Sequence, residues 1–193
     1  TRAFGKPMAG LEARVVDDKD QDVAPGTPGE LLVRHSADDP RRGFFLAYHK
    51  NEQATAEAWR GDWFHTGDTV RQDENGMLYF IDRNKNIIRR SGENIAAGEI
   101  EAALQAHSAV AQAAVIGVPD DLREEEVFAC IVVMPGTDPN ETTARALFDW
   151  CMARLAYYKA PGYVLFRESL PTTGTQKVQK SLIFPPETDP KAE

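Results

Sequence analysis

The chain has 193 residues, 42% hydrophobic and 27% charged, which is enough apolar material for one or two small cores and is unlike a disordered chain. A net charge of -8 repels phosphate backbones, so nucleic acid is not an expected partner. No apolar run is long enough to cross a bilayer and no secretory pattern opens the sequence, so a cytoplasmic protein with no membrane span is expected.

Cys130 and Cys151 lie inside apolar stretches with no close-spaced partner. They read as reduced core residues and not as a disulfide or metal site. The first residue is Thr1, and Gly5-Lys6-Pro7 runs at once into a strand-like pattern. Further residues are therefore expected ahead of Thr1.

Residues 1–84 read as β-rich. Leu11 to Val16 alternates toward a β-branched end, and Asp17 to Asp20 is a polar turn. After a second turn at Pro25 to Gly29, Glu30 to Arg34 reads as the next strand. Short strands between polar turns predict a small barrel or sandwich. Asn51 to Trp59 carries Ala54, Ala56 and Ala58 and predicts a short helix. Asp73-Glu74-Asn75-Gly76 is a hairpin signature leading into Met77 to Ile81.

From Asn86 on, strand and helix patterns mix. Asn86 to Arg90, turning at Ser91-Gly92, predicts a hairpin. Gly98 to His107 has helical spacing, and Val110 to Val118 reads as a strand ended by Pro119-Asp120-Asp121. Val127 to Met134 is a continuous apolar run of strand length, hence a buried central strand. Thr142 to Ala156 predicts a helix capped by Thr142 or Thr143, and Tyr163 to Phe166 a last core strand. Tyr157 to Pro161 reads as structural, a helix stop over packed aromatics. Glu124-Glu125-Glu126 and Asp120-Asp121 read as solvated charge, and His35, His49, His65 and His107 have no partner at metal-ligand spacing.

The chemistry-bearing residues follow a definite order. Asp68, after Thr66-Gly67 at the end of an aromatic strand, offers two carboxylate oxygens suited to adjacent ribose hydroxyls, or is a turn aspartate. Arg83 presents a planar fork for ribose or phosphate oxygens, or pairs on the surface with Asp82. Lys85 is exposed on either reading, as a joint or as a solvated linker residue. Ser91-Gly92-Glu93-Asn94 is a glycine-centred turn. Lys177, in Pro171-Thr172-Thr173-Gly174-Thr175-Gln176-Lys177, is a flexible ammonium near the end of the chain.

Taken together, Gly61-Asp62-Trp63-Phe64-His65-Thr66-Gly67-Asp68, Asp82-Arg83-Asn84-Lys85-Asn86, Ser91-Gly92-Glu93-Asn94 and the Lys177 stretch resemble the C-terminal portion of the adenylate-forming acyl-CoA synthetases. That family also includes peptide-synthetase adenylation domains and luciferases. The resemblance runs from Gly5 to Ile183. It implies an α+β fold, with a small β-barrel-like end of a large adenylating domain over residues 1–84 and a mobile mixed α/β lid over 85–193.

It implies that Asp68 grips the ATP ribose, Arg83 contacts the nucleotide, and Lys85 is the hinge. Ser91, Gly92 and Glu93 would line the CoA tunnel, and Lys177 would be the adenylation lysine. The implied ligands are ATP with Mg2+, a carboxylic acid and CoA. The Mg2+ ligands, phosphate loop and acid pocket belong to the missing N-terminal domain, so residues 1–193 alone are not expected to adenylate an acid. Asn86, Ala97 and Gln176 stand where the family usually has Asp, Pro and Gly.

Two other readings are an adenylation domain of a peptide synthetase, with a carrier-protein thiol as acceptor, and a non-catalytic lid that only binds protein. The first lacks a carrier serine motif after Lys177. The second leaves the joint presence of Asp68, Arg83 and Lys177 unexplained.

Overall fold

A computed structural model describes residues 3–184 and 188–192. Two compact units divide the chain, one through Lys85 and one from Asn86.

The first unit is built on one antiparallel sheet. Its strands are β1 (Ala3–Gly5), β2 (Glu12–Val16), β3 (Pro28–Arg34), β4 (Trp59–Arg60), β5 (Trp63–Gln72) and β6 (Leu78–Arg83). They lie in the order β1-β6-β5-β3-β2, with β4 paired to β5. Val15, Leu31, Val70 and Leu78 form its buried core. The sheet is open and not a closed barrel. β1 and β2 are only three and five residues long, each has one partner, and the ladder ends on them.

Helix α1 (Glu52–Ala58) starts where the Asn51 side chain accepts the Ala54 N–H at 2.9 Å. The β5–β6 turn is shaped by Asp73, whose Oδ1 accepts the N–H groups of Met77 and Asn75, each at 2.9 Å. The Met77 N–H, with help from the Tyr79 hydroxyl and Asn75 N–H, holds that carboxyl below its ordinary pKa.

The second unit holds β7 (Ile87–Arg90), β8 (Glu93–Ala96), helix α2 (Ala97–Gln105), β9 (Val110–Asp120), β10 (Glu124–Val133), helix α3 (Glu141–Met152) and β11 (Tyr163–Phe166). Its centre is β10. It pairs antiparallel with β9 over its whole length and parallel with β11. Successive side chains of a strand point to opposite faces. Val127, Ala129 and Ile131 therefore join Ala113 and Val115 on one face, under Ile100 and Leu104 of α2 and Leu147 and Cys151 of α3. Phe128 and Cys130 join Ala114 and Val118 on the other face, against Leu170 and Ile183. Both faces are covered, which is why the run reads as uniformly apolar.

Three boundaries differ from the sequence reading. β9 continues through Pro119 to Asp120, because β9 pairs only with β10 and a proline on an edge strand costs no ladder bond. Helix α3 ends at Met152 rather than Ala156, and Tyr157–Lys159 is a separate 3-10 turn. The cap of α3 is Asn140, whose side chain accepts the Thr143 N–H at 3.0 Å. Thr143 spends its hydroxyl on the Asp138 carbonyl instead.

Replacing Asn140 by Ala should cost about 1 kcal/mol in urea unfolding of this unit, while Thr142→Ala should change little. Both cysteines are buried, and burial pushes the Cys151 thiol up to about 11. Neither should react with a thiol reagent at pH 8 in the folded protein, and both should react in denaturant. Labelling of either in the native state, read by mass spectrometry, would show that its cluster is open.

Candidate active site

Asp68 lies in the middle of β5 and not at the end of a strand, because β5 bulges there and then continues. Pairing with β3 jumps from Leu32↔His65 to Glu30↔Thr69, leaving Thr66, Gly67 and Asp68 opposite Leu31. Gly67 takes φ 68, the left-handed region open to glycine, and its N–H donates to Glu30 Oε1 at 3.1 Å. The Thr66 hydroxyl donates to the Leu31 carbonyl at 2.8 Å and accepts the Asp68 N–H at 3.1 Å. Threonine fixes the bulge, glycine permits it, and the carboxylate that follows is aimed by both.

On its other side β5 pairs with β6, with Asp68 opposite Arg83. Arg83 Nε lies 2.7 Å from Asp68 Oδ1. The contact is ionic without hydrogen-bond alignment, so Oδ1 is buried with no N–H or O–H aimed at it. Arg83 thus faces Asp68 across the ladder. Asp82, its neighbour, is turned inward and accepts the Arg83 backbone N–H at 2.8 Å. An acceptor with spare capacity stands beside a half-exposed guanidinium.

Lys85 is exposed in the single 3-10 turn Asn84–Asn86, where the first unit ends. The Thr69 hydroxyl holds Asn84 just ahead of it.

Strands β7 and β8 form a two-residue hairpin with Arg90 opposite Glu93. Ser91 and Gly92 have φ 52 and 82, the pair of positive values that a type I′ turn requires. Ser91, Gly92 and Glu93 are exposed, and no atom lies within 4 Å of where a Gly92 Cβ would stand. The hairpin meets the sheet at one backbone pair, Arg90↔Glu124. The Ser91 N–H also donates to the Arg123 carbonyl at 2.9 Å, and side chains add to these. Glu125 Oε2 accepts the Arg89 N–H at 2.7 Å, and Arg90 Nη2 donates to Glu126 Oε2 at 2.8 Å. Arg90 also donates to the Tyr158 carbonyl. Glu125 and Glu126 are therefore not solvated surface charge, whereas Glu124 is exposed as the sequence reading expected. The triplet opens β10, and Glu126 is 4% exposed.

Lys177 ends a second hairpin. Thr173 N–H donates to the Lys177 carbonyl at 2.8 Å and Gln176 N–H to the Thr173 carbonyl at 2.9 Å, a turn closed by the Thr172–Val178 bridge. Gln176 has φ 65, whereas Gly174 does not need a positive φ. The glycine of this loop sits two positions away from the strained one. Lys177 is exposed, and among the described residues no carboxylate pairs with its Nζ. The other lysines of this unit are tied: Lys159 to Glu99 at 2.7 Å, Lys180 to Glu101 at 2.7 Å and Lys191 to Asp120 at 3.6 Å.

Sequence reasoning missed Thr66, Glu30, Glu101, Glu126 and Lys180. The signal for Glu126 was available: a charge abutting the apolar run Val127 to Val133 must be buried with it and so needs a partner. Among the described residues no cluster of three His, Cys, Asp or Glu side chains could hold a metal ion, and no helix is long and apolar enough to cross a membrane.

Residues 99–177 match the AMP-binding enzyme C-terminal domain. The chain is 37% identical over 179 residues to the crotonobetaine/carnitine–CoA ligase of Proteus mirabilis, covering 92% of this chain and 33% of that one. It is 38% identical over 176 residues to the long-chain-fatty-acid–CoA ligase of Escherichia coli O157:H7, covering 91% and 30%. The solved o-succinylbenzoate CoA synthetase of Bacillus subtilis, in complex with its acyl-adenylate intermediate, superposes with a TM-score of 0.76 at 30% identity, covering 94% of this chain and 35% of that one. The chain thus spans about a third of the length of these relatives. Its second unit is thus similar to the AMP-binding enzyme C-terminal domain, and the relatives it matches are acyl-CoA ligases and an acyl-adenylate-forming CoA synthetase.

A left-handed non-glycine residue costs about 1–2 kcal/mol, part of which the extra freedom of unfolded glycine cancels. Gln176→Gly should therefore stabilise the second unit by up to about 1 kcal/mol. Gly174→Ala should be neutral or slightly stabilising. Thermal melts of the two variants distinguish this strain from a merely flexible loop.

Proposed function

We propose that this chain works as the C-terminal part of an ATP-dependent acid–thiol ligase. The carboxylate of the acid attacks the α-phosphorus of ATP, giving acyl-adenylate and pyrophosphate. The CoA thiol then attacks the acyl carbon, its proton is lost, and AMP leaves. Asp68 accepts hydrogen bonds from the ribose hydroxyls, and a side chain that is partly exposed and has acceptor capacity beyond its Arg83 contact supports that role. Arg83 contacts the nucleotide beside it. ATP and CoA fit these donor and acceptor groups. Magnesium would be held by residues outside this chain, and no step here depends on its placement.

Lys177 supplies the cation of the first step. As the acid's oxygen approaches phosphorus, negative charge gathers on the nonbridging oxygens, and a positioned ammonium lowers its energy most in a site that excludes water. One observation carries this reading. Among the lysines of the second unit, Lys177 alone lacks a carboxylate partner among the described residues. An ammonium already paired would have to break that pair before it could act.

Lys85, at the exposed junction of the two units, is the hinge about which the second unit turns between half-reactions. The turn at Ser91-Gly92-Glu93 then lines the passage of the pantetheine arm. The open space beside Gly92 is consistent with an arm passing there. Which acid is activated depends on a pocket outside these residues.

In the protein extended to the length of its relatives, Lys177→Ala should lower acid-dependent ATP–pyrophosphate exchange by roughly 100- to 1000-fold. Thioester formation from preformed acyl-adenylate should be spared. Equal loss of both half-reactions in this variant would refute the division of labour.

A further inference from the structure

Each of the two hairpins just described is fastened by one carboxylate–cation pair with little exposure. Glu126, 4% exposed, holds Arg90 at the base of the Ser91-Gly92 turn. Glu101 holds Lys180 just beyond the Lys177 hairpin, at 2.7 Å, with the lysine Nζ shut off from solvent. Neither pair touches the other, and neither includes a residue with a proposed chemical role.

Both pairs are built into backbone. Glu126 Oε1 accepts the Val127 N–H at 2.8 Å, and Arg90 reaches the Tyr158 carbonyl as well. Gly162 makes the room: a Cβ there would stand 2.6 Å from Glu126 Cδ. Glu101 Oε1 accepts the Val115 N–H at 2.8 Å while facing Lys180. Lys180 is thereby fixed to both α2 and β9. A carboxylate held by the main chain gives the cation a fixed partner, so each hairpin base has a defined anchor point. The backbone ties the first hairpin to the sheet by one ladder pair and the Ser91 N–H to Arg123 carbonyl bond, while the Thr172–Val178 bridge closes the second hairpin on itself and leaves its base to side-chain contacts.

We propose that Glu126–Arg90 and Glu101–Lys180 are two independent positioning locks, each serving one hairpin and therefore one half-reaction. The first sets the thiol-receiving turn and the second sets the lysine of adenylation. This rests on the roles given above to those hairpins. A positioning role predicts a crossed pattern that a general loss of stability cannot produce.

The test uses the protein at the length of its relatives, with both half-reactions measured separately. Lys180→Met should lower ATP–pyrophosphate exchange by roughly 10- to 100-fold and leave thioester formation from preformed acyl-adenylate within about twofold. Glu126→Gln should do the reverse. Gly162→Ala, which keeps every charge and pushes the Glu126 carboxylate off Arg90, should reproduce Glu126→Gln. Lys180→Arg, which keeps the cation, should restore much of the exchange activity. If Glu126→Gln does not fold, Gly162→Ala decides the first lock, and Lys180→Arg against Lys180→Met decides the second. Parallel loss of both half-reactions in a folded variant, or loss in neither, overturns the proposal. Lys177→Ala is the control: if it fails to suppress exchange selectively, the underlying reading of the hairpins is at fault and not the locks.

Discussion

The second unit depends on β10 being apolar on both faces. A strand of that kind must be covered twice, and the two covers are different in kind. Helices α2 and α3 close one face. The segment after β11, through Leu170, Val178 and Ile183, closes the other. At about 25 cal/mol per Å2 of apolar surface, burial on this scale far outweighs any single surface ion pair. The stretch that carries Lys177 is thus a structural part of the core, and the lysine projects from a well-supported base.

The same logic shapes the first unit. A carboxylate in a regular strand would point wherever the pleat sent it. In β5 the pleat is interrupted: Gly67 takes a left-handed conformation that glycine adopts without the steric cost other residues meet, and Thr66 satisfies both the Leu31 carbonyl and the Asp68 N–H. The bulge re-aims Asp68 while the ladder resumes at Thr69. Thr-Gly-Asp is therefore a mechanical unit in which the first two residues orient the third.

Buried charge recurs where the chain must hold an exposed turn. Glu126 and Glu101 are each fixed by a backbone N–H; Glu101 faces Lys180, and Glu126 faces Arg90 at 2.8 Å with Arg123 farther off at 3.7 Å. Such pairs contribute little net stability compared with apolar packing, because desolvation offsets most of the attraction. Their effect is geometric. They set where a turn sits, which hydrophobic contacts, being non-directional, do much less well.

The amino-acid order alone determined a good deal. The alternation of Leu11 to Val16, the apolar run at Val127, the alanines at Ala54, Ala56 and Ala58, the Ser91-Gly92 turn and the family motifs are local, and each declares its element through side-chain period or backbone preference. The class α+β and the strand-rich first half followed from them. What local pattern could not decide was closure, register and partnership. An open sheet and a barrel share the same strands and differ only in whether the end strands meet. Whether Arg83 faces Asp82 or Asp68 depends on the β5–β6 register, and whether Glu126 is solvated or buried depends on Gly162 and Arg90, both more than thirty residues away. These are contacts between segments distant in sequence, and only the folded chain, by bringing its strands together, fixed them.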